Sequence, residues 1–128
     1  MIVLDTHVWL WWAGSIPELS SRARTELERA DRIGVCSISC WELAMLVRLG
    51  RVELDRDVHS WIGLALGEDR IEALPLEPEI AAAAGMLDDD LPGDPVDRIV
   101  YATARAIDVP LVTKDRRLRS YDRKRTLW

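Results

Sequence analysis

Residues 92–115 read PGDPVDRIVYATARAIDVPLVTKD, and how these 24 residues are read decides the fold. Two aspartates three residues apart, Asp94 and Asp97, open a segment in which Val96, Ile99, Val100, Thr103 and Ile107 recur at helical spacing, a face expected to pack on a sheet. A short apolar run, VPLVT at 109–113, follows it. Pro110 stands near the start of that run, where a missing N–H is tolerated, and Asp115 lies just past its end. A helix feeding a buried strand over so short a span predicts a crossover unit and a parallel sheet.

The acid pair supports two readings. In the first, Asp94 caps the helix, Pro95 is its first residue with φ already set, and Asp97 is a first-turn carboxylate complementing the macrodipole. Such a cap contributes about 1 kcal/mol. In the second, residues i and i+3 share a helix face, so two hard oxygen donors point to one spot and could hold a divalent cation.

Outward from this stretch the same alternation repeats. IEALPL at 71–76 reads as a strand, Pro78 opens an alanine-rich helix, and DDDLPG at 88–93 reads as a turn. Asp88, Asp89 and Asp90 are consecutive and share no face, so they are a solvated loop and not a metal box. Residues 51–67 hold a helix of about 11 residues, with Val58, Ile62, Leu64, Ala65 and Leu66 expected inward and His59 at the surface.

Residues 1–4 are an unbroken apolar run closed by Asp5, the pattern of a strand buried on both faces. Thr6 and His7 are expected to turn the chain into a short apolar helix, VWLWWA. Trp9, Trp11 and Trp12 cannot all face one core, which makes at least one a candidate partner contact. Ser20 or Ser21 then caps a helix with Ala23, Leu27 and Ala30 on its apolar side. IGVCSI at 33–38 is a second buried strand, and SCWELAMLVRLG a helix ending at Gly50. Ser39 and Glu42 have the S-x-x-E spacing of a capping box. Glu42 nevertheless sits near a helix start that follows a strand, as Asp97 sits near a helix start and Asp5 and Asp115 follow strands. In an open parallel sheet these positions crowd the carboxyl edge, where such folds bind ligands.

Length and composition fit this picture. A chain of 128 residues with 48% apolar content fits one domain that buries about two-thirds of its unfolded surface. The net charge of −5 is uneven. Residues 114–128 hold seven Lys or Arg against two Asp, a balance of +5, so the first 113 carry −10. An acidic pocket with a basic flank suits a cation-assisted site for a phosphate polymer. Cys36 and Cys40 lack a second pair at zinc-ligand spacing, which argues for free thiols in a reducing compartment. No apolar run approaches membrane-spanning length, and no charged leader opens the chain, so a soluble cytoplasmic protein is expected.

Four or five carboxylates from separate segments then meet at one edge. Two like charges 4 Å apart repel by about 4 kcal/mol at an effective dielectric of 20. Caps need one acid each and do not need to meet, whereas a hard cation needs several that do. Magnesium takes one or two carboxylates directly and others through water. No Ser-His-Asp order accompanies the cluster, so covalent catalysis fits poorly.

The segments MIVLDTHVWLWW, SISCWELAMLVRLG, PGDPVDRIVYATA and LVTKDRRLRSY, in this order, resemble the PIN-domain toxins of the VapC family along the whole chain. The resemblance implies a single PIN domain over residues 1–128, a three-layer α/β/α fold whose central, mostly parallel sheet has four to five strands. It implies a magnesium- or manganese-dependent ribonuclease acting as the toxin of a type II pair, a cognate VapB-like antitoxin and a homodimer. By position the family's acids fall on Asp5, Glu42, Asp97 and Asp115, with Asp94 an extra acid in a D-P-x-D-R motif and Val96 where relatives often have phenylalanine. Asp5 and Asp97 would hold the principal cation, and Glu42 and Asp94 would complete its shell. Asp115 would hold a second cation or position water, while Thr6 and Thr113 would orient carboxylates. Arg98, Lys114, Arg116 and Arg117 are candidate contacts to the RNA backbone, and the tryptophan-rich first helix and the Trp61 helix are candidate antitoxin surfaces. The alternatives are a receiver-like magnesium-binding module, in which Lys114 would be the late lysine, and a PIN scaffold acting only as a regulator.

Overall fold

The computed structural model describes residues 1–91 and 94–128; the Pro92 and Gly93 part of the expected turn lies outside the described residues. In chain order the elements are β1 (Ile2–Leu4), α1 (Thr6–Ala13), α2 (Ser21–Arg29), β2 (Ile33–Cys36), α3 (Ser37–Arg48), α4 (Val58–Leu66) and β3 (Ile71–Leu74). There follow α5 (Pro78–Met86), α6 (Pro95–Ala106), β4 (Leu111–Val112), α7 (Arg116–Tyr121) and β5 (Thr126–Leu127). The strands form one sheet in the order β3-β2-β1-β4-β5, and every pairing is parallel. The fold is the expected three-layer α/β/α arrangement, with the mostly parallel sheet resolved as five strands, all parallel. A receiver-like sheet would run 2-1-3-4-5, so the observed order speaks against that alternative.

Alternation within strands divides the core between two faces. Ile2 and Leu4 join Val8, Trp9, Ala23, Leu27 and Leu43 on the side of α1 to α4. Val3 joins Val96, Val100, Tyr101, Ala104 and Leu118 on the side of α6 and α7, and α5 packs outside α6. Burial on both faces is why β1 and β2 are apolar throughout. Gly34 in β2 answers a close approach: a Cβ there would lie 2.6 Å from Leu74 Cδ1 and 3.3 Å from Val3 Cγ2. Gly50, at φ 71°, supplies the left-handed residue that ends α3.

Several local expectations change. Thr6 and His7 do not turn the chain, because Asp5 caps α1 directly and the helix begins at Thr6. Residues 37–38 are helix and not strand, since β2 runs without a loop into α3. Leu64 is 58% exposed and only Ala65 of α4 is fully buried, so that helix lies more shallowly than its apolar content suggests. Ile107 caps α6 and is 41% exposed instead of facing the sheet. The six-residue α7 goes beyond the sequence expectations, since its stretch, RRLRSY, places a single buried residue, Leu118, among polar ones. Of the three tryptophans in α1, Trp9 is buried edge-on against Trp61 while Trp11 and Trp12 are half-buried. Among the described residues no helix is long and apolar enough to cross a membrane.

Candidate active site

The β1-β4 neighbour pair is where strand order reverses, since β2 and β3 lie to one side and β5 to the other. That reversal opens a crevice at the carboxyl ends of the strands. Three acids stand there as helix caps. Asp5 follows β1, and its Oδ1 accepts the Thr6 N–H at 2.7 Å. Asp94 accepts the Val96 N–H at 2.9 Å at the head of α6. Asp115, past the end of β4, accepts the Arg117 N–H at 2.8 Å at the head of α7. The positive ends of three helices thus meet three carboxylates and offset part of their charge. Asp97 lies one step on, in the first turn of α6, and Glu42 in the second turn of α3.

Threonines lock this frame. Thr113, fully buried, donates its hydroxyl to Asp5 Oδ2 at 2.7 Å and accepts the Asp115 N–H at 3.0 Å, so one oxygen joins the acids of β1 and β4. Both oxygens of Asp5 are therefore held. Thr6 Oγ1 donates to Ser39 Oγ at 2.9 Å, tying the head of α1 to the helix that carries Glu42. This overturns the capping box. Because α3 begins at Ser37, with Cys36 as an N-cap that makes no side-chain hydrogen bond, Ser39 is an interior helical residue and Glu42 is beyond reach of the cap. Ser39 is instead a support that the sequence reading missed; its i, i+3 spacing to Glu42 was the available signal.

Electrostatics show the convergence. Burial first, then repulsion from Asp5, Asp94, Asp115 and Glu42, pushes the Asp97 carboxyl up to about 7. One side chain thus feels all four others. Burial also raises Asp5, with the Thr113 hydroxyl and the Thr6 N–H opposing, and raises Glu42, where Asp5 and Asp94 add. Asp5 and Glu42 are 7% and 9% exposed, so these acids face little bulk water. Among the described residues, however, no three His, Cys, Asp or Glu side chains form a ready-made ion cage. The two observations are compatible. Mutually repelling carboxylates stand within electrostatic reach without closing, which suits a hydrated hard cation bound directly by one or two of them better than a metal taking four protein ligands.

The basic candidates separate. Arg98 is committed elsewhere: its guanidinium donates to the carbonyls of Ala84 (3.1 Å), Asp88 and Leu91 (both 3.3 Å), and also to that of Leu87. It clamps the end of α5 to α6 and is not free for RNA, because four orphan carbonyls claim its donors. Arg117 pairs with Asp115 at 3.4 Å and remains mostly exposed. Lys114 Nζ sits 5.6 Å above the Trp11 ring, and Arg116 is exposed at the head of α7. Cys36, whose thiol burial pushes up to about 11, is inert packing at the end of β2, and both cysteines are free.

Residues 2–124 match the PIN domain family. The chain is 40% identical over 129 aligned positions to Ribonuclease VapC22 of Mycobacterium tuberculosis, covering 99% of this chain and 98% of that protein. In fold it is similar to a chain in the crystal structure of VapBC2 from Rickettsia felis bound to a promoter DNA fragment (TM-score 0.70, 18% identity, 99% and 98% of the two chains). It is equally similar to a chain of a toxin–antitoxin complex from Klebsiella pneumoniae (TM-score 0.70, 15% identity, 100% and 97%). With five acids gathered at the switch point of a 3-2-1-4-5 sheet and this full-length kinship, the chain belongs to the PIN-domain family, in its VapC branch.

Proposed function

We propose that this protein is a divalent-cation-dependent endoribonuclease and the toxin of a type II toxin–antitoxin pair. The observation that carries the reading is Asp97, a half-buried carboxylate repelled by Asp94 at the head of its own helix and by Asp5, Glu42 and Asp115 from three other segments. A cluster of that charge calls for a counter-ion, and hard oxygen donors suit magnesium or manganese. Asp5 and Asp97 would hold the principal ion, with Glu42 and Asp94 completing or buffering its surroundings. When bound, the ion would acidify water and neutralise charge developing on the phosphoryl oxygens.

The side chains themselves orient and hold. Thr113 and the Thr6 N–H fix both oxygens of Asp5, so the carboxylate has one rotamer to offer. Asp115 gives Oδ1 to its helix, and its Oδ2, which also accepts from the Arg117 guanidinium at 3.4 Å, would orient the attacking water or help hold a second ion. Hydrolysis of an RNA phosphodiester would leave a 5′-phosphate and a 3′-hydroxyl. The kinship to a protein named as a ribonuclease, and the likeness to chains solved in toxin–antitoxin complexes, support RNA as substrate and a VapB-like antitoxin as partner. Half-buried Trp11, Trp12 and Trp61, with exposed Leu64, would supply the apolar antitoxin surface, and a cytoplasmic homodimer joined to antitoxin completes the reading.

The test is cleavage of total cellular RNA by purified protein with magnesium, with manganese and with chelator, alongside Asp5→Asn and Asp97→Asn. Cleavage that needs the ion and both aspartates is expected. Equal activity in the variants, or in chelator, overturns the reading.

A further inference from the structure

Beyond the acidic crevice, a second charged feature begins one residue after Asp115. Arg116 and Arg119 share one face of α7 at i and i+3, and Arg123 in the turn beyond it and Arg22 at the head of α2 join them. Together with Trp128 they line one cleft of about 370 Å³. No carboxylate lines the cleft, and among the described residues none of the four guanidiniums is in an ion pair. Arg119 gives one hydrogen bond to the Lys114 carbonyl at 3.3 Å, and its buried Nε has no partner. Gathering four unpaired cations is unfavourable in itself, and leaving a buried donor orphaned adds to the cost. An anion in the cleft relieves the first of these.

We propose that the Arg22, Arg116, Arg119, Arg123 and Trp128 cleft is a single-stranded RNA backbone track that receives the strand running from the catalytic crevice. The proposal rests on the nuclease reading for its direction. Four guanidiniums spread along one cleft from two helices and a turn suit a chain of phosphates better than one isolated anion. An aromatic face beside a basic groove is what lets a base stack while its backbone is held. The Trp128 ring meets Trp11 at 5.9 Å and 57°, and Lys114 lies over Trp11, so basic and aromatic surface continues from the cleft back toward Asp115. An acidic peptide could meet the same charges, but it would make no use of the aromatic face or of the continuity with the crevice.

The test measures binding without cleavage. A labelled oligouridylate of about 12 nucleotides is titrated with full-length protein in chelator across a salt series. Substituting Arg22→Gln, Arg119→Gln and Arg123→Gln together should weaken binding at least about 10-fold and lower the slope of log K against log salt by about 2, at about 0.7 per phosphate contact. Lysine at the same three positions should keep the slope, which separates lost charge from lost folding. Trp128→Ala should weaken binding about 5- to 150-fold with the slope unchanged. Wild-type affinity and slope in the glutamine triple overturn the track. So does a loss confined to an oligoglutamate probe, which would make the cleft a peptide site. If wild-type protein cleaves no RNA yet the triple loses oligouridylate binding, the nuclease reading fails and the track stands. If wild-type protein cleaves RNA and the triple binds oligouridylate unaltered, the track fails and the nuclease reading stands.

Discussion

Replacing Asp97 by asparagine should make the metal-free protein more stable while abolishing its activity. Asp97 is held at about 7 in the folded chain against an ordinary 3.8, a rise that burial and four neighbouring carboxylates cause. At 1.36 kcal/mol per unit the full penalty is about 4 kcal/mol. Since the group is only half-buried, solvent screening reduces this to about 2 kcal/mol. The sign follows from linkage: the folded chain binds its proton more tightly than the unfolded one, so the penalty is absent below about pH 4 and complete above about pH 7. For a chain of this size 2 kcal/mol corresponds to roughly 8 °C in Tm. The assay is thermal or urea unfolding in chelator at pH 4, 6 and 8 for wild type and Asp97→Asn. The variant should gain nothing at pH 4 and most at pH 8. Millimolar magnesium should stabilise the wild type and leave the variant nearly unmoved. Equal stability at pH 8 would show that the acids do not strain the fold, and an equal gain at pH 4 and pH 8 would show that the effect is not electrostatic.

Thr113→Val keeps the shape but strips Asp5 Oδ2 and the Asp115 N–H of their shared partner, so urea unfolding should register a loss of about 1–3 kcal/mol. RNA cleavage should fall further than that loss explains, and unchanged stability would place the hydroxyl outside the frame. Arg98→Ala should destabilise by about 2 kcal/mol by orphaning carbonyls at the end of α5. Its RNA affinity at a temperature where it remains folded should match wild type, and a weakened salt dependence would return Arg98 to the RNA contacts. Gly34→Val should cost about 1–3 kcal/mol through collision with Leu74, read as a lower urea midpoint. Alkylation at pH 8 followed by mass spectrometry should label half-buried Cys40 well before Cys36.

Much of this molecule is written locally. The apolar runs at 1–4 and 33–36, the Pro95 start of α6 and the Gly50 end of α3 are legible because strand burial, proline's fixed φ and glycine's positive φ each act over a few residues. The acids too could be named in advance, since each follows a strand or opens a helix. The extent of each strand, the short α7 and the tilt that leaves Leu64 exposed could not, because they depend on which neighbour covers which face. Glu42 and Ser39 show the limit best. Their spacing alone permits a capping box, and only the direct joining of β2 to α3 moves the helix start to Ser37 and frees Ser39 for Thr6. The alternatives for Asp94 likewise do not exclude each other: it caps α6 and also repels Asp97. Sequence by itself thus determined most of the elements, α7 excepted, and the candidate acids, through interactions that span one or two turns. Tertiary structure alone decided that β1 lies beside β4, that the Thr113 hydroxyl reaches Asp5 across 108 positions of chain, and that five separated charges share one crevice. Repulsion between like charges depends on distance in space, and no local pattern encodes that distance.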